Sequence, residues 1–379
     1  MRPTYLEVNL SQLKQNLENI RKHVSPAKVL VVLKANAYGH GVDGVAPFIA
    51  PFADYIGVAI VEEGIHLRKM GIATPILIMG GTFPRQLPDF FEYDLTLAAS
   101  SRDLLTAAEQ LAESTRKRLK VHLKIDTGME RIGVREYEAE ALIQASLACR
   151  HLEIEGIFTH FANSESHVIA SGFSAKESPR NNGGFVDAPL QLSRFEEVLS
   201  IYGKLKAPCP PIRHTASSGA TLLLPESYFD MVRPGVLFYG VYPSRDIEKT
   251  IEVRTALTWK SQVVYSKITL PGRGVSYGSL WQAEAPTRIV TIPCGYADGY
   301  FRRMTNQGRV IIKGKSYPQV GRVCMDQFMV NTGEDEVTVG DEVTMLGEGI
   351  VLEELADWAG TNEYEVMTNI SARVPRVFV

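Results

Sequence analysis

Between Val29 and Gly240 the chain repeats one physical pattern eight times: a short β-branched run, a polar or glycine-containing turn, then a stretch with apolar residues at helical spacing. The strand candidates are Val29 to Leu33, Tyr55 to Ile60, Pro75 to Met79, Asp94 to Ala98, Lys120 to Ile125, Ile154 to Thr159, Ile212 to Ala216 and Phe229 to Val232. Each is apolar on both faces, as a parallel strand must be when helices cover one side and a packed interior the other. The segments between them carry helix signals. Glu62 to Lys69 places Glu62 and His66, and Ile65 and Lys69, at i,i+4, and Gly71 ends it. Eight such units predict an α/β architecture with an N-terminal (β/α)8 TIM-type barrel.

Ahead of the series, Thr4 to Val8 reads as a strand, and Ser11 is placed to cap a helix carrying Leu13, Leu17 and Ile20 on one face. Beyond Gly240 the texture changes to β-rich segments with short turns: Leu257 to Ile268, Arg288 to Pro293, Gly308 to Ile312, Gln319 to Val330 and Glu342 to Leu346. Only Leu352 to Gly360 reads as helical there, and the glycines of Pro271 to Gly278 read as a tight hairpin turn. The expected organisation is therefore a barrel over 10–240 followed by a mainly-β C-terminal domain over 241–379, joined by the N-terminal strand 1–9. The stretch Ser164 to Pro189, rich in Ser, Asn and Gly, is the one long loop expected near the mouth of the barrel.

Composition narrows the class of function. Forty basic residues nearly balance forty-three acidic ones, so a formal charge of −3 offers no broad positive field for a nucleic acid. Apolar runs reach strand length only, far short of the ~18 residues of a membrane span. Met1 to Ile20 is polar and periodic, which is not the pattern of a signal peptide, so a cytoplasmic location is expected. Cys149, Cys209, Cys294 and Cys324 lie far apart with no CxxC pair, which argues against a metal or redox site and for a reduced compartment.

In a barrel of this kind the reactive groups sit just beyond the C-terminal ends of the strands. Collected there are Lys34, Lys124, Asp126, His160, His214, Ser217, Ser218, Arg233 and Gly235. The loops after strands seven and eight, with Ser217, Ser218, Gly219 and then Pro234, Gly235, Val236, suit a phosphate. Lys34, leading into Asn36, Tyr38 and Gly39, is placed for a Schiff base with an aldehyde cofactor. A phosphate site and such a lysine together point to pyridoxal phosphate (PLP). Taken singly, each has a plain structural reading: a solvated lysine, core histidines, serines that cap a helix, an arginine in an ion pair.

A longer match decides between these readings. The run Val31 to Gly41 (VVLKANAYGHG) resembles the PLP-lysine signature of the alanine racemase family. Further segments follow in that family's order: LKIDTGMERIG at Leu123 to Gly133, THFA at Thr159 to Ala162, VRPGVLFYG at Val232 to Gly240, VSYG at Val275 to Gly278, IPCGYADGY at Ile292 to Tyr300, GRVCMDQFM at Gly321 to Met329 and RVPRVF at Arg373 to Phe378. The resemblance covers nearly the whole chain.

It implies a homodimer with shared active sites that interconverts L- and D-alanine, supplying D-alanine for peptidoglycan. Lys34 and Tyr277, the latter delivered from the second subunit, are implied as the two catalytic bases. Tyr38, His160, Ser218, Arg233, Gly235 and Val236 are implied to surround the cofactor, with Arg233 facing the pyridine nitrogen and His160 bonded to the partner's tyrosine. Arg131, and Met325 from the second subunit, are implied at the substrate carboxylate. Lys124, carbamylated in many relatives, would steady Arg131, while Tyr296, Asp298, Arg302 and Asp326 would support the site and its access route. No metal is implied. Three departures bear on substrate range: Ala372 stands where many members have a tyrosine, Ser217 where many have Asn, and the stretch Ser164 to Pro189 is longer than usual. Ala372 and the enlarged loop leave serine or a broader range of amino acids as further substrates to consider. PLP-dependent decarboxylases share the barrel but place an acidic residue where this chain has Arg233, and non-enzymatic PLP carriers lack the β domain.

Overall fold

The computed structural model describes residues 2–165 and 187–379, and most of the long loop expected at 164–189 lies outside them. The chain divides into two compact units: Leu13–Ala35 with Ala46–Arg254, and Met1–Gln12 with Asn36–Val45 and Thr255–Val379.

The first unit is the barrel. The opening strand β1 (Tyr5–Val8) lies outside it, and its staves are β2 (Lys28–Val32), β3 (Tyr55–Val58), β4 (Ile76–Ile78), β5 (Thr96–Ala99), β6 (Leu119–Asp126), β8 (Leu152–Phe158), β9 (Ile212–His214) and β10 (Met231–Val232). A two-residue β7 (Val134–Arg135) pairs beside β6. All eight staves run parallel in the order β10, β2, β3, β4, β5, β6, β8, β9. The circle closes where Asp230 donates its N–H to the Arg213 carbonyl and Arg233 to that of Ala216. The eight candidate strands of the sequence are all present. Val29, Leu30, Val31, Ile56, Ile76, Leu77, Leu97, Val121 and Leu123 are fully buried, which accounts for their uniformly apolar character.

Helix boundaries follow local chemistry. Ser101 caps Arg102–Thr115 by accepting from the Leu104 N–H, and Asp187 caps Ala188–Lys204 by accepting from Leu190. The helix Val61–Lys69 ends before Gly71, whose φ of +83° only glycine adopts without strain. Ser11 is not a cap. The first helix runs from Leu10 to Val24, and Asn9 Oδ1 accepts from the Gln12 N–H, two residues earlier than expected.

The second unit is built on a nine-stranded sheet. β11 (Leu257–Gln262), β12 (Tyr265–Thr269), β15 (Thr287–Ile292), β16 (Arg309–Ile312), β17 (Lys315–Val320), β18 (Phe328–Gly333), β19 (Glu342–Leu346) and β20 (Arg376–Phe378) join β1 in the order β12, β15, β18, β17, β16, β19, β11, β1, β20. β1 is thus tied into this unit, antiparallel to β11 and parallel to β20. A hairpin of β13 (Gly274–Val275) and β14 (Trp281–Gln282) stands apart. Its turn is the 276–280 segment rather than 271–278. Trp259, Tyr300 and Phe328 fill the core, with the last two stacked at 4.3 Å. Two helices occur here, not one. Glu363–Asn369 follows Leu352–Ala359, with Asn362 accepting from the Glu365 N–H as its cap. Among the described residues no helix is long and apolar enough to cross a membrane.

Candidate active site

At the C-terminal rim of the barrel the sequence candidates converge. Lys34 leaves the end of β2 half-buried, and the next four residues, Ala35, Asn36, Ala37 and Tyr38, have φ between 51° and 54°. Four consecutive non-glycine residues in the left-handed region cost roughly 1–2 kcal/mol each. Glu63 helps to hold the start of this turn: its Oε1 accepts from the Ala35 N–H at 2.6 Å while Oε2 accepts from Ala59 and Ile60. Burial, and then the charge of Arg131, pull the Lys34 amine below its ordinary basicity, which Glu63 only partly offsets.

Arg131 is positioned by the strand end before it. Asp126 closes β6, and its carboxylate accepts from the backbone N–H groups of Gly128, Met129, Glu130 and Arg131. This is the physical content of the DTGMER segment: one buried carboxylate folds the loop that carries the arginine. Burial opposes the Asp126 charge, but the N–H groups of Gly128 and Glu130 and the nearby Lys124 hold its pKa below the usual value. Lys124 itself is 3% exposed, donates to the Ile125 carbonyl at 2.6 Å and is pulled down by burial to about 7.

Arg233 follows β10 directly and is 4% exposed. Its Nη1 donates to His214 Nδ1 at 2.8 Å, and its Nη2 to the Thr159 and Thr215 carbonyls and, at 3.3 Å, to His160 Nδ1. Burial lowers its pKa to about 9, which leaves it charged at neutral pH. His160 is held neutral by burial and by the charges of Arg233, Arg131, Lys124 and Lys34. Ser218 Oγ accepts from the Gly235 and Leu237 N–H groups at 2.9 and 3.3 Å, which brings the two phosphate-loop candidates together beside Val236. Ser217 occupies the cap position of Ser218–Leu223 without a side-chain cap bond.

The barrel site is therefore rich in cations, with four of them acting on one neutral imidazole. That donor set fits an anionic aldehyde cofactor: an amine of lowered basicity to bind the aldehyde, and arginines to meet negative oxygen and an unprotonated ring nitrogen.

The remaining candidates lie in the second unit. Tyr38 is buried, with its phenol pushed up to about 12 by burial and its ring 6.2 Å from that of Tyr364. Tyr277 is 69% exposed and Met325 52% exposed, and with Arg273, Leu270 and Asp326 they line a cavity of about 990 Å³. Ser276, at φ 66°, anchors the Tyr277 turn by donating to the Arg322 carbonyl. Asp326 pairs with Arg373 at 2.7 Å, Tyr296 is exposed and donates its N–H to the Cys324 carbonyl, and Arg302 is exposed in a short 3-10 turn. Asp298 does not line an access route. It is fully buried, and its carboxylate accepts two bonds from Arg2 and one from the Gly295 N–H, so it anchors the 295–298 turn.

Two features escaped the sequence reading. Gln191 joins Thr127, the His160 carbonyl and the Ala162 N–H, fixing the His160 loop. His122, within β6, bonds to His214 behind Arg233. Neither stands just beyond a strand end, where the reactive groups of such a barrel ordinarily lie.

Such a barrel, with a lysine of lowered basicity at its first strand and arginine-backed imidazoles across its rim, defines the class of barrel enzymes that bind PLP through a lysine. Family models for the alanine racemase N-terminal and C-terminal domains match residues 8–243 and 256–378. Among curated relatives, alanine racemase of Carboxydothermus hydrogenoformans is 43% identical with both chains covered in full, and that of Halothermothrix orenii is 38% identical over all of this chain and 97% of its own. Among solved structures, alanine racemase of Clostridium difficile 630 superposes with a TM-score of 0.90 at 34% identity, covering 100% of this chain and 96% of that one. The Bacillus anthracis enzyme with bound L-Ala-P gives 0.88 at 33%, covering 100% and 95%. The chain belongs to the alanine racemase family, whose members are PLP-dependent isomerases.

Proposed function

We propose that this chain racemises alanine by a two-base mechanism, with Lys34 and Tyr277 of the partner subunit moving the α-proton on opposite faces of the substrate. The observation that carries the reading is the half-buried Lys34 amine, lowered in basicity by burial and by Arg131, at the rim of a closed barrel. PLP bound there supplies an electron-withdrawing ring that acidifies the Cα–H of the amino acid. Lys34 would hold its aldehyde, Tyr38, Ser218, Gly235 and Val236 its phosphate, and Arg233 its ring nitrogen. Because a guanidinium only donates, Arg233 keeps that nitrogen unprotonated and so limits how far charge runs into the ring.

The tyrosine needs help, since a phenol of pKa ~10 is a poor base at neutral pH. His160 provides it. Its Nδ1 accepts from Arg233, so the neutral ring carries its proton on Nε2 and can donate to the phenolic oxygen of the partner subunit's Tyr277, stabilising the charged form. Arg131, aimed by Asp126, and Met325 of the partner subunit would meet the substrate carboxylate. Lys124 has the chemistry for carbamylation, because an amine near pKa 7 offers a neutral nucleophile to carbon dioxide and the product anion would face Arg131. Tyr296, Arg302 and Asp326 would flank the access route. The reading takes 10–240 as the cofactor-binding domain and 241–379 as the domain that serves the partner's site, in a cytoplasmic homodimer that feeds peptidoglycan synthesis.

The test is chiral chromatography after incubating the PLP-loaded protein with L-alanine and, separately, L-serine. The reading expects D-alanine in excess of D-serine and neither product from Lys34→Ala. D-serine formed faster than D-alanine overturns the substrate assignment, and no D-product from either overturns the function.

A further inference from the structure

We infer that Glu155 is a positioning residue for Arg233, acting through His122 and His214 along a hydrogen-bond chain whose proton order is fixed in one direction. The chain crosses the interior of the barrel. Arg233 Nη1 meets His214 Nδ1 at 2.8 Å, His214 Nε2 meets His122 Nδ1 at 2.8 Å, and His122 Nε2 meets Glu155 Oε1 at 3.2 Å. Tyr55 donates to the same Glu155 oxygen, and Lys120 lies 3.9 Å from the other.

The direction follows from chemistry alone. A guanidinium has no acceptor, so His214 Nδ1 must accept. Neutral His214 then carries its hydrogen on Nε2 and donates to His122 Nδ1. That leaves His122 protonated on Nε2, and only an acceptor can complete the chain. Glu155 is that acceptor: burial works against its charge, but the bonds from His122 and Tyr55 outweigh it and keep it a carboxylate. Both histidines are fully buried and held neutral. A cation at one end and an anion at the other are thus joined by two neutral rings that cannot reverse.

This is a built feature of the barrel, whose interior is ordinarily packed with branched apolar side chains. Gly156 makes room for it, since a Cβ there would lie 2.4 Å from His122 Nδ1. Phe158 stacks on His214 at 4.7 Å and meets His122 edge-on at 6.4 Å, fixing both rings. A fully satisfied buried network specifies one geometry, and here that geometry ends at the arginine.

The consequence for turnover rests on the proposed racemase activity; the proton order does not. With Glu155→Leu, the His122 Nε2–H loses its acceptor while the arginine end still dictates the order of both rings, and Arg233 is less firmly held. Histidine-labelled holoenzyme read by 15N NMR, with assignments from a His122→Asn variant, should show His122 and His214 as Nε2–H tautomers. Glu155→Leu should keep both tautomers, which the arginine end dictates, but give a kcat for alanine lower by about tenfold, the scale of a small misplacement remote from the chemistry, with KM within about twofold. Glu155→Gln, whose amide oxygen still accepts, should restore kcat. Nδ1–H tautomers in the wild type, or a kcat unchanged in Glu155→Leu, would overturn the inference. So would an equal kcat loss in Gln and Leu variants. A wild type that racemises nothing removes the proposed function and leaves the tautomer result to decide the proton order.

Discussion

Lys34 and Lys124 are both lysines in name, but their surroundings give them different chemistry. Lys34 stands half-buried at the rim beside Arg131, and Lys124 is buried within β6 with a pKa of about 7. For Lys124 the sign is simple: as pH rises through 7 the buried amine loses its proton and becomes the nucleophile that carbon dioxide requires. With 13C-bicarbonate, a carbamate resonance should therefore grow as pH rises through about 7 and be missing in Lys124→Arg; a resonance equally strong at pH 6 and 8, or one that survives the substitution, speaks against it. Replacing Lys34 by Ala should lower alanine turnover by at least about 10²-fold, the lower range of what a positioned acid–base contributes, and also abolish covalent PLP binding. The positions of these residues were legible because they stand at strand ends. Their environments were not, since neither the Asp126-folded loop nor the left-handed turn after Lys34 is announced by a glycine at each strained position.

At the scale of elements, the barrel was legible because a parallel strand buried on both faces has to be apolar throughout, and Val29, Ile56 and Leu97 all obey. Polar residues inside such strands are harder to read. His122 alone looks like a satisfied core histidine, and Glu155 looks like an outward residue of an alternating strand, so the chain they form becomes visible only when β6, β8 and β9 lie side by side. The helix at 363–369 carries a cap signal in Asn362 followed by Glu365, but its short length leaves little apolar periodicity to mark it. Asn16 shows how an element is secured by polar rather than apolar contact. Buried on the first helix, it donates to the Phe238 and Arg254 carbonyls and accepts from the Arg254 N–H. Asn16→Leu should lower unfolding free energy by about 3 kcal/mol in a urea titration, because partners left unsatisfied cost ~1–3 kcal/mol each. A change below about 1 kcal/mol would show that the segment relaxes and that the contact is incidental.

At the scale of the whole molecule, several buried histidines stay neutral. His40 is pulled down to about 3 by burial, and His122, His160 and His214 are also lowered. An unfolded histidine binds its proton near pH 6.5 whereas these do so only at lower pH, so the unfolded state gains protons first as pH falls. The histidines' contribution to stability should be level above about pH 6.5 and decline below it, by up to about 1.4 kcal/mol per pH unit for each such histidine. Lys124, lowered to about 7, adds a decline in the same direction as pH falls from the unfolded lysine range to about 7. Urea midpoints measured from pH 8 to pH 5 check this, and a midpoint that rises on acidification contradicts it.

The proposed shared site makes a sharper demand on assembly. Mixing Lys34→Ala with Tyr277→Phe protein, unfolding and refolding them together, should recover activity in roughly a quarter of the sites, because half the dimers are mixed and each has one intact pair. Activity no greater than that of either variant alone would place both residues in the same subunit's site.

The most direct test of the two-base account is to follow L-alanine with the PLP-loaded wild type in heavy water and read deuterium at Cα in both enantiomers at early times. Two bases that exchange with solvent on opposite faces place deuterium in the D-alanine formed while the remaining L-alanine stays protiated. Deuterium appearing equally in both enantiomers, or racemisation with the original proton retained, would contradict it.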